Sequence, residues 1–230
     1  MKSLVFDAGP IISLTMNNLL WILPKLKERF KGEFFVALSV KQEVVDRPLL
    51  GKEYKFEALQ AMRLVEDKVL QVADSEEIRQ LGRQLLDIAN RIYLAKGHPI
   101  SVVHRGEMES VAAALSLNAS AIVVDERTTR MLLEDPVGLA AILERKLHTP
   151  VRTDKDMLQK FQEQTKSLVP IRSLELALVA YELGFLDKFL FSIENPRETL
   201  LDAMLWGLKL DGCAVSQDEI AGIISLESRR

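Results

Sequence analysis

The sequence predicts an α/β fold: a central parallel sheet of four or five strands flanked by helices, followed by a C-terminal helical lobe. Three observations carry this. Short apolar runs at 3–7, 34–38 and 121–124 alternate with segments of helical periodicity, the pattern of β-α-β units. The run Ala121-Ile122-Val123-Val124 is apolar throughout, as in a parallel strand covered on both faces. Beyond residue 137 the texture changes to long helical patterns.

Each element follows from local chemistry. Leu4-Val5-Phe6 reads as the first strand, ending on Asp7, and Pro10 suits the first turn of a helix beginning near Gly9. Ile11, Ile12, Leu14, Leu19, Leu20, Ile22 and Leu23 indicate one or two buried helices, broken near Pro24. Phe34-Phe35-Val36-Ala37-Leu38 is the second strand, with Ser39 as N-cap of a helix that carries Glu43 and breaks at Arg47-Pro48 to Gly51. Longer helices are expected over 54–70 and 75–96, the second capped by Asp74 with Glu77 three residues on. Gly106-Glu107-Met108-Glu109 opens a small-residue helix containing Ala112-Ala113-Ala114, suited to close packing on a sheet. After the strand at 121–124, Asp125 precedes a helix over 127–134. His148-Thr149-Pro150-Val151-Arg152 is an added edge strand; helices follow over 154–167, 172–191 and 196–210 and from Ser216, with Glu219 completing a capping box. Pro170 marks a lobe boundary, and the domain division is read as 1–150 and 151–230.

Bulk composition bounds the function. The chain has 230 residues, 48% hydrophobic and 27% charged, which is globular. A net charge of −3 excludes a global basic field, leaving only a local groove for any nucleic acid. A single cysteine, Cys213, excludes an intrachain disulfide, and no Cys/His spacing suits structural zinc. Cys213 and the two tryptophans, Trp21 and Trp206, read as apolar residues of helical segments. The apolar N-terminal run is too short for a signal peptide, and no stretch approaches the roughly 18 apolar residues of a membrane span. A soluble cytoplasmic protein with no membrane association is the default.

Four carboxylates carry the chemistry. Asp7 and Asp125 end predicted parallel strands, where open α/β sheets bind ligands. Glu43 lies one turn into the helix after the second strand, and Glu107 opens the helix before 121–124. In a parallel sheet all four converge at one rim. Gathered carboxylates repel and call for a cation; hard oxygen donors suit Mg2+ or Mn2+, which can activate water and stabilise charge on a phosphodiester. Each acid also has a plain structural role open to it: Asp7 and Asp125 as helix caps, Glu43 on a solvated face, Glu107 and Glu109 as acids of a first helical turn. Arg127 and Arg130, about one turn beyond Asp125, are candidates to hold a phosphate. His98, His104 and His148 have no ligand spacing, and the run Lys25, Lys27, Arg29, Lys31 reads as a solvated face or, otherwise, as a phosphate-backbone contact.

These residues resemble the PIN-domain family of metal-dependent nucleases. The resemblance rests on V-F-D-A-G-P-I-I-S-L at 5–14, S-V-K-Q-E-V at 39–44, G-E-M-E-S-V-A-A-A-L at 106–115 and I-V-V-D-E-R-T-T-R at 122–130, and covers residues 1 to about 150. It implies a three-layer PIN-like fold with Asp7, Glu43, Glu107 and Asp125 as metal ligands. The Gly-Glu and Asp-Glu-Arg wording is most similar to the uncharacterised, mainly prokaryotic branch. Many members carry Asp where this chain has Glu107, with Glu109 competing for the role. Many also carry an acid where this chain has Arg127, which bears on a second metal position.

The expected function is a Mg2+- or Mn2+-dependent nuclease acting on single-stranded RNA. The alternatives are a non-catalytic interaction or RNA-binding protein that keeps the fold, or the toxin of a toxin–antitoxin pair. The C-terminal helices are apolar around much of their circumference, so they are expected to pack on the sheet domain, bind a protein partner or build a homodimer, with Trp206 largely buried. Family members often form dimers, which adds to the homodimer expectation.

Overall fold

A computed structural model of the protein describes residues 2–227. The chain opens with β1 (Ser3–Phe6), α1 (Ala8–Met16) and α2 (Ile22–Phe30), then β2 (Glu33–Ala37). A continuous helical segment follows: α3 (Leu38–Lys41), a π-helix (Gln42–Asp46) and α4 (Arg47–Leu50). Next come α5 (Lys55–Glu66), β3 (Leu70–Ala73), α6 (Glu76–Ala89), β4 (Tyr93–Ala95), β5 (His98–Pro99), α7 (Arg105–Ser116) and β6 (Ala121–Val123). The remainder is α8 (Arg127–Glu134), α9 (Pro136–Leu147), β7 (Val151–Thr153), α10 (Lys155–Thr165), β8 (Pro170–Ile171), α11 (Ser173–Glu182), a 3-10 turn (Asp187–Phe189), α12 (Pro196–Leu210) and α13 (Gln217–Glu227).

The predicted architecture holds: helices flank a five-stranded parallel sheet of order β3-β2-β1-β6-β8. Its central strands are apolar on both faces because helices cover both; Val5, Phe6, Ile122 and Val123 have no exposed surface. The chain runs from β1 through β2 to β3 toward one edge, then returns through β6 to β8 at the other. Right-handed crossovers put the two sets of connecting helices on opposite faces. The direction reverses between β1 and β6, and the C-terminal ends of strands flanking such a switch point are where open α/β sheets bind ligands.

Several local expectations are corrected. The helical pattern of 54–70 stops at Glu66, and Leu70–Ala73 turns into β3 because its residues complete the sheet beside β2. The pattern of 75–96 likewise ends at Ala89, and Tyr93–Ala95 becomes β4. The cap of α6 is Ser75, whose hydroxyl accepts from the Ile78 N–H at 3.2 Å; Asp74 pairs with Arg79 instead. Ser39 lies inside α3, its hydroxyl buried and unpaired, and the helix begins one residue earlier. Pro48 does not end its helix, which runs on to Leu50 through the π-turn. The expected edge strand near 148–152 is β7, which pairs antiparallel with β4 in a separate three-stranded sheet.

Residues beyond 150 enter the central sheet. The segment read as a lobe boundary holds β8, paired in parallel with β6 through Ile122↔Pro170 and Val123↔Ile171. Val124 also donates its N–H to the Ile171 carbonyl at 2.7 Å. Asp154 caps α10, and Ser216 and Glu219 form the predicted capping box before α13. One hydrophobic core extends from Leu4 to Ile220 and includes Leu201, Leu205 and Leu208 of α12. Trp206 is partly buried and packs against this core, with the Lys209 ammonium 5.9 Å from its ring.

The packing of α7 gives a test. It lies on β1, β2 and β6, and α6 lies on it. At their crossing a Cβ on Gly82 would stand 2.9 Å from Glu109 Cγ and 3.2 Å from its Cα. Alanine is the better helix former by about 1 kcal/mol, yet overpacking costs about 1–3 kcal/mol. Gly82→Ala should therefore destabilise the protein, measured as a lowered urea midpoint with unchanged slope.

Candidate active site

The switch point is acidic. Asp7 directly follows β1, and its N–H donates to the Val123 carbonyl at 2.9 Å, closing the last rung between β1 and β6. Its carboxylate is therefore buried, at 5% exposure. Asp125 lies two residues beyond β6 and is buried as well. α1 starts close to this strand end: a Cβ on Gly9 would stand in van der Waals contact, 3.4 Å, with Asp125 Cβ.

The two aspartates are treated differently. Asp125 is well supplied with donors: Oδ1 accepts from the Ser173 N–H and Oδ2 from the Ser173 hydroxyl, both at 2.7 Å. Asp7 receives the Ser110 hydroxyl at 2.9 Å on Oδ1. Burial pushes its carboxyl up to about 6. The Ser110 and Ala8 hydrogen bonds oppose the rise, and the charges of Glu43 and Asp125 add to it.

Glu107 stands in the first turn of α7, half-buried, with Oε2 accepting the His104 N–H at 2.5 Å. Burial raises its carboxyl to about 7; the hydrogen bond from His104 opposes this, and the charges of Asp7 and Glu126 reinforce it. Glu43 is exposed on the π-turn, 3.7 Å from where a Cβ on Gly106 would sit, which brings it to the mouth of α7. All four predicted acids thus act on one electrostatic neighbourhood. Among the described residues, however, no three Asp, Glu, His or Cys side chains stand close enough to hold a metal ion as they are. The donor set is all carboxylate, which matches a hard dication in kind.

The competition between Glu107 and Glu109 has a structural answer. Glu109 is buried in the α6–α7 crossing beside Gly82 and pairs with Arg105 at 2.6 Å, while Glu107 shares the field of Asp7. Arg127 opens α8 and is exposed; Arg130 is engaged with Glu134 at 2.9 Å. The basic run on α2 is partly structural: Lys27 pairs with Glu33 at 2.7 Å, and Lys25 lies over the Trp21 and Phe185 rings. The histidines join no cluster. Cys213 is buried near Asp125; burial and that charge push its thiol up to about 12, so it is inert.

Three site residues escaped the sequence. Glu126 caps α8 by accepting the Thr129 N–H at 2.7 Å. Ser110, one turn after Glu107, was hidden among the small residues of its helix. Ser173 had one signal, a serine near the start of an apolar helix, but nothing local tied it to Asp125.

With this geometry established, comparison with known proteins adds one finding. A family model described as a PIN domain matches residues 3–136. No curated protein and no solved structure matches the chain.

Two tests follow from the unlike aspartates. Asp7 has its folded value, about 6, above the ordinary 3.8. Its contribution to stability is therefore fully present below pH 3.8 and is lost as pH rises through 6. In EDTA at pH 8, Asp7→Asn should exceed wild type by about 3 kcal/mol, two pKa units' worth. The advantage should vanish near pH 4, read from paired urea titrations. Ser173→Ala leaves a buried carboxylate oxygen short of a donor and should cost about 1–3 kcal/mol at neutral pH, with Ser173→Thr restoring most of the melting temperature.

Proposed function

This chain belongs to the PIN-domain family, and we propose that it is a Mg2+- or Mn2+-dependent nuclease that hydrolyses phosphodiester bonds in single-stranded RNA. The observation that carries this reading is the acidic switch point. Asp7, Glu43, Glu107 and Asp125 share one electrostatic neighbourhood, and among the described residues none of them is paired with a Lys or Arg. Unneutralised acids at a ligand-binding rim are costly to the fold, and a bound cation offsets the cost.

These four residues would hold the ion. When bound, it supplies an activated water and stabilises the charge that develops on the phosphate. Asp7 and Glu107 ionise near neutral pH, so they are ready to exchange protons for a cation in that range. Ser110 fixes the rotamer of Asp7. Ser173 fixes Asp125 while using only two of the roughly four lone-pair sites of its carboxylate. Among the described residues Arg127 joins no ion pair, and it can bind a phosphate oxygen beside the cluster. The preference for RNA is supported by the family resemblance, and DNA of the same sequence is the natural comparison.

The decisive experiment incubates end-labelled single-stranded RNA and DNA with the full chain in Mn2+, Mg2+ or EDTA. RNA should be cut only when metal is present. Asp7→Asn should reduce the rate by roughly 100-fold or more, since even outer-shell partners of a metal contribute up to that much. Equal cleavage by Asp7→Asn would remove the active site from this rim.

A further inference from the structure

Beside the acidic rim runs an apolar groove that the nuclease reading leaves unused. It lies between α1, the π-turn and α5, has a volume of about 320 Å3, and is lined by Ile11, Met16, Glu43, Tyr54, Ala58 and Ala61 among others. Glu43 belongs to both features, so groove and carboxylate cluster are continuous. Tyr54 stands over the groove at 59% exposure. It is the residue before α5, and its backbone is left-handed, at φ 57°. Glycine or asparagine occupies that conformation at less cost, so a bulky aromatic side chain there is not a requirement of the turn.

The flank is basic. Arg47, Lys52 and Lys55 are exposed, and none joins an ion pair among the described residues. The segment Arg47-Pro48-Leu49-Leu50-Gly51-Lys52-Glu53-Tyr54-Lys55 therefore carries three exposed cations and one exposed acid close in sequence to Tyr54. Elsewhere on the chain the basic groups near aromatic rings are tied into the fold, as Lys25 and Lys188 are over Trp21. Single-stranded nucleic acids are held by this combination: cations along the backbone and an aromatic face for a base.

We infer that this groove receives an unpaired nucleobase of the strand whose phosphate lies at the acidic rim, stacked on Tyr54, with Arg47, Lys52 and Lys55 holding the neighbouring phosphates. The apolar floor accepts a π-face of any base, and the volume, at the small end for ligand sites, suits a single ring system. A base-paired nucleotide could not enter, so the groove would select single strands. The inference rests on the proposed function for the strand's course, though base binding can be measured without cleavage.

The test is fluorescence anisotropy with a labelled short single-stranded RNA and the full chain in EDTA. Tyr54→Ala should weaken binding about fivefold or more, the range of one lost stacking contact, and Tyr54→Phe should not. Phe56→Ala is the control: Phe56 is exposed, but it is 200° around α5 from the groove residue Ala58. Lys52→Ala should lower the salt slope by roughly 0.7. A strand without bases should bind wild type as weakly as it binds Tyr54→Ala, a result that does not depend on how any variant folds. Equal affinity of wild type and Tyr54→Ala for the intact strand overturns the inference. So does an effect of Tyr54→Ala on light-scattering mass alone, which would make the groove a contact between copies of the chain. Tyr54-dependent binding without cleavage in Mn2+ would sink the nuclease reading and keep the base site; Asp7-dependent cleavage indifferent to Tyr54 would do the reverse.

Discussion

A carboxylate at the end of a buried parallel strand must find donors, and the structure around the site depends on how Asp125 finds them. Both its oxygens are met by Ser173, the first residue of α11. The positive end of that helix adds to the stabilisation. The backbone is held from the same side, since the Ala214 N–H donates to the Asp125 carbonyl at 3.1 Å. Arg172 then joins the pieces, reaching the Ala214 carbonyl, Glu175 and Glu219. Residues outside the matched span of 3–136 thus form one wall of the acidic rim. The fold could not release its C-terminal helices without stripping the donors from Asp125 and leaving a charge buried, which is strongly destabilising.

Two aspartates end adjacent strands, yet they do different physical work. Asp125 is held in place by two short hydrogen bonds from Ser173. Asp7 is equally buried but receives a single side-chain donor, and its proton is correspondingly hard to remove. Neighbouring carboxylates whose environments separate their behaviour are a recurrent sign of an active site. Glu107 repeats the pattern at the mouth of α7, where it must serve both as the cap of its helix and as a member of the cluster. A cation held by Glu107 would draw on the same carboxylate as the His104 N–H, which would couple the start of α7 to the site.

What the sequence made legible was whatever had a local signature. The strand ends at Asp7 and Asp125, the small-residue helix after Glu107, the helix over 196–210 and the Ser216 capping box all carry their own punctuation. The misses share a cause. β3 follows a helix with no Gly or Pro between, so its apolar residues extend the helical pattern, and only pairing with β2 decides the matter. β8 has two residues and exists because β6 has an open edge. Ser173 acquires its role from a contact 48 residues away in sequence. Tertiary pairing overrides local preference in all three.

Glu43 presents the most instructive case, because the cause was visible and its consequence was not. Pro48 has no N–H to give the Val44 carbonyl, and its ring would collide with it; these facts predict a break. The chain instead relieves the conflict by widening the preceding turn into a π-helix over Gln42–Asp46 and carries on to Leu50. The wider turn carries Glu43 in its first residues while Val44 and Val45 stay in the core. Glu43 is therefore anchored by its neighbours and still exposed, unlike Asp7 and Asp125. The four acids thus comprise two buried aspartates, one helix-capping glutamate and one exposed glutamate on the π-turn, the last of which also lines the apolar groove.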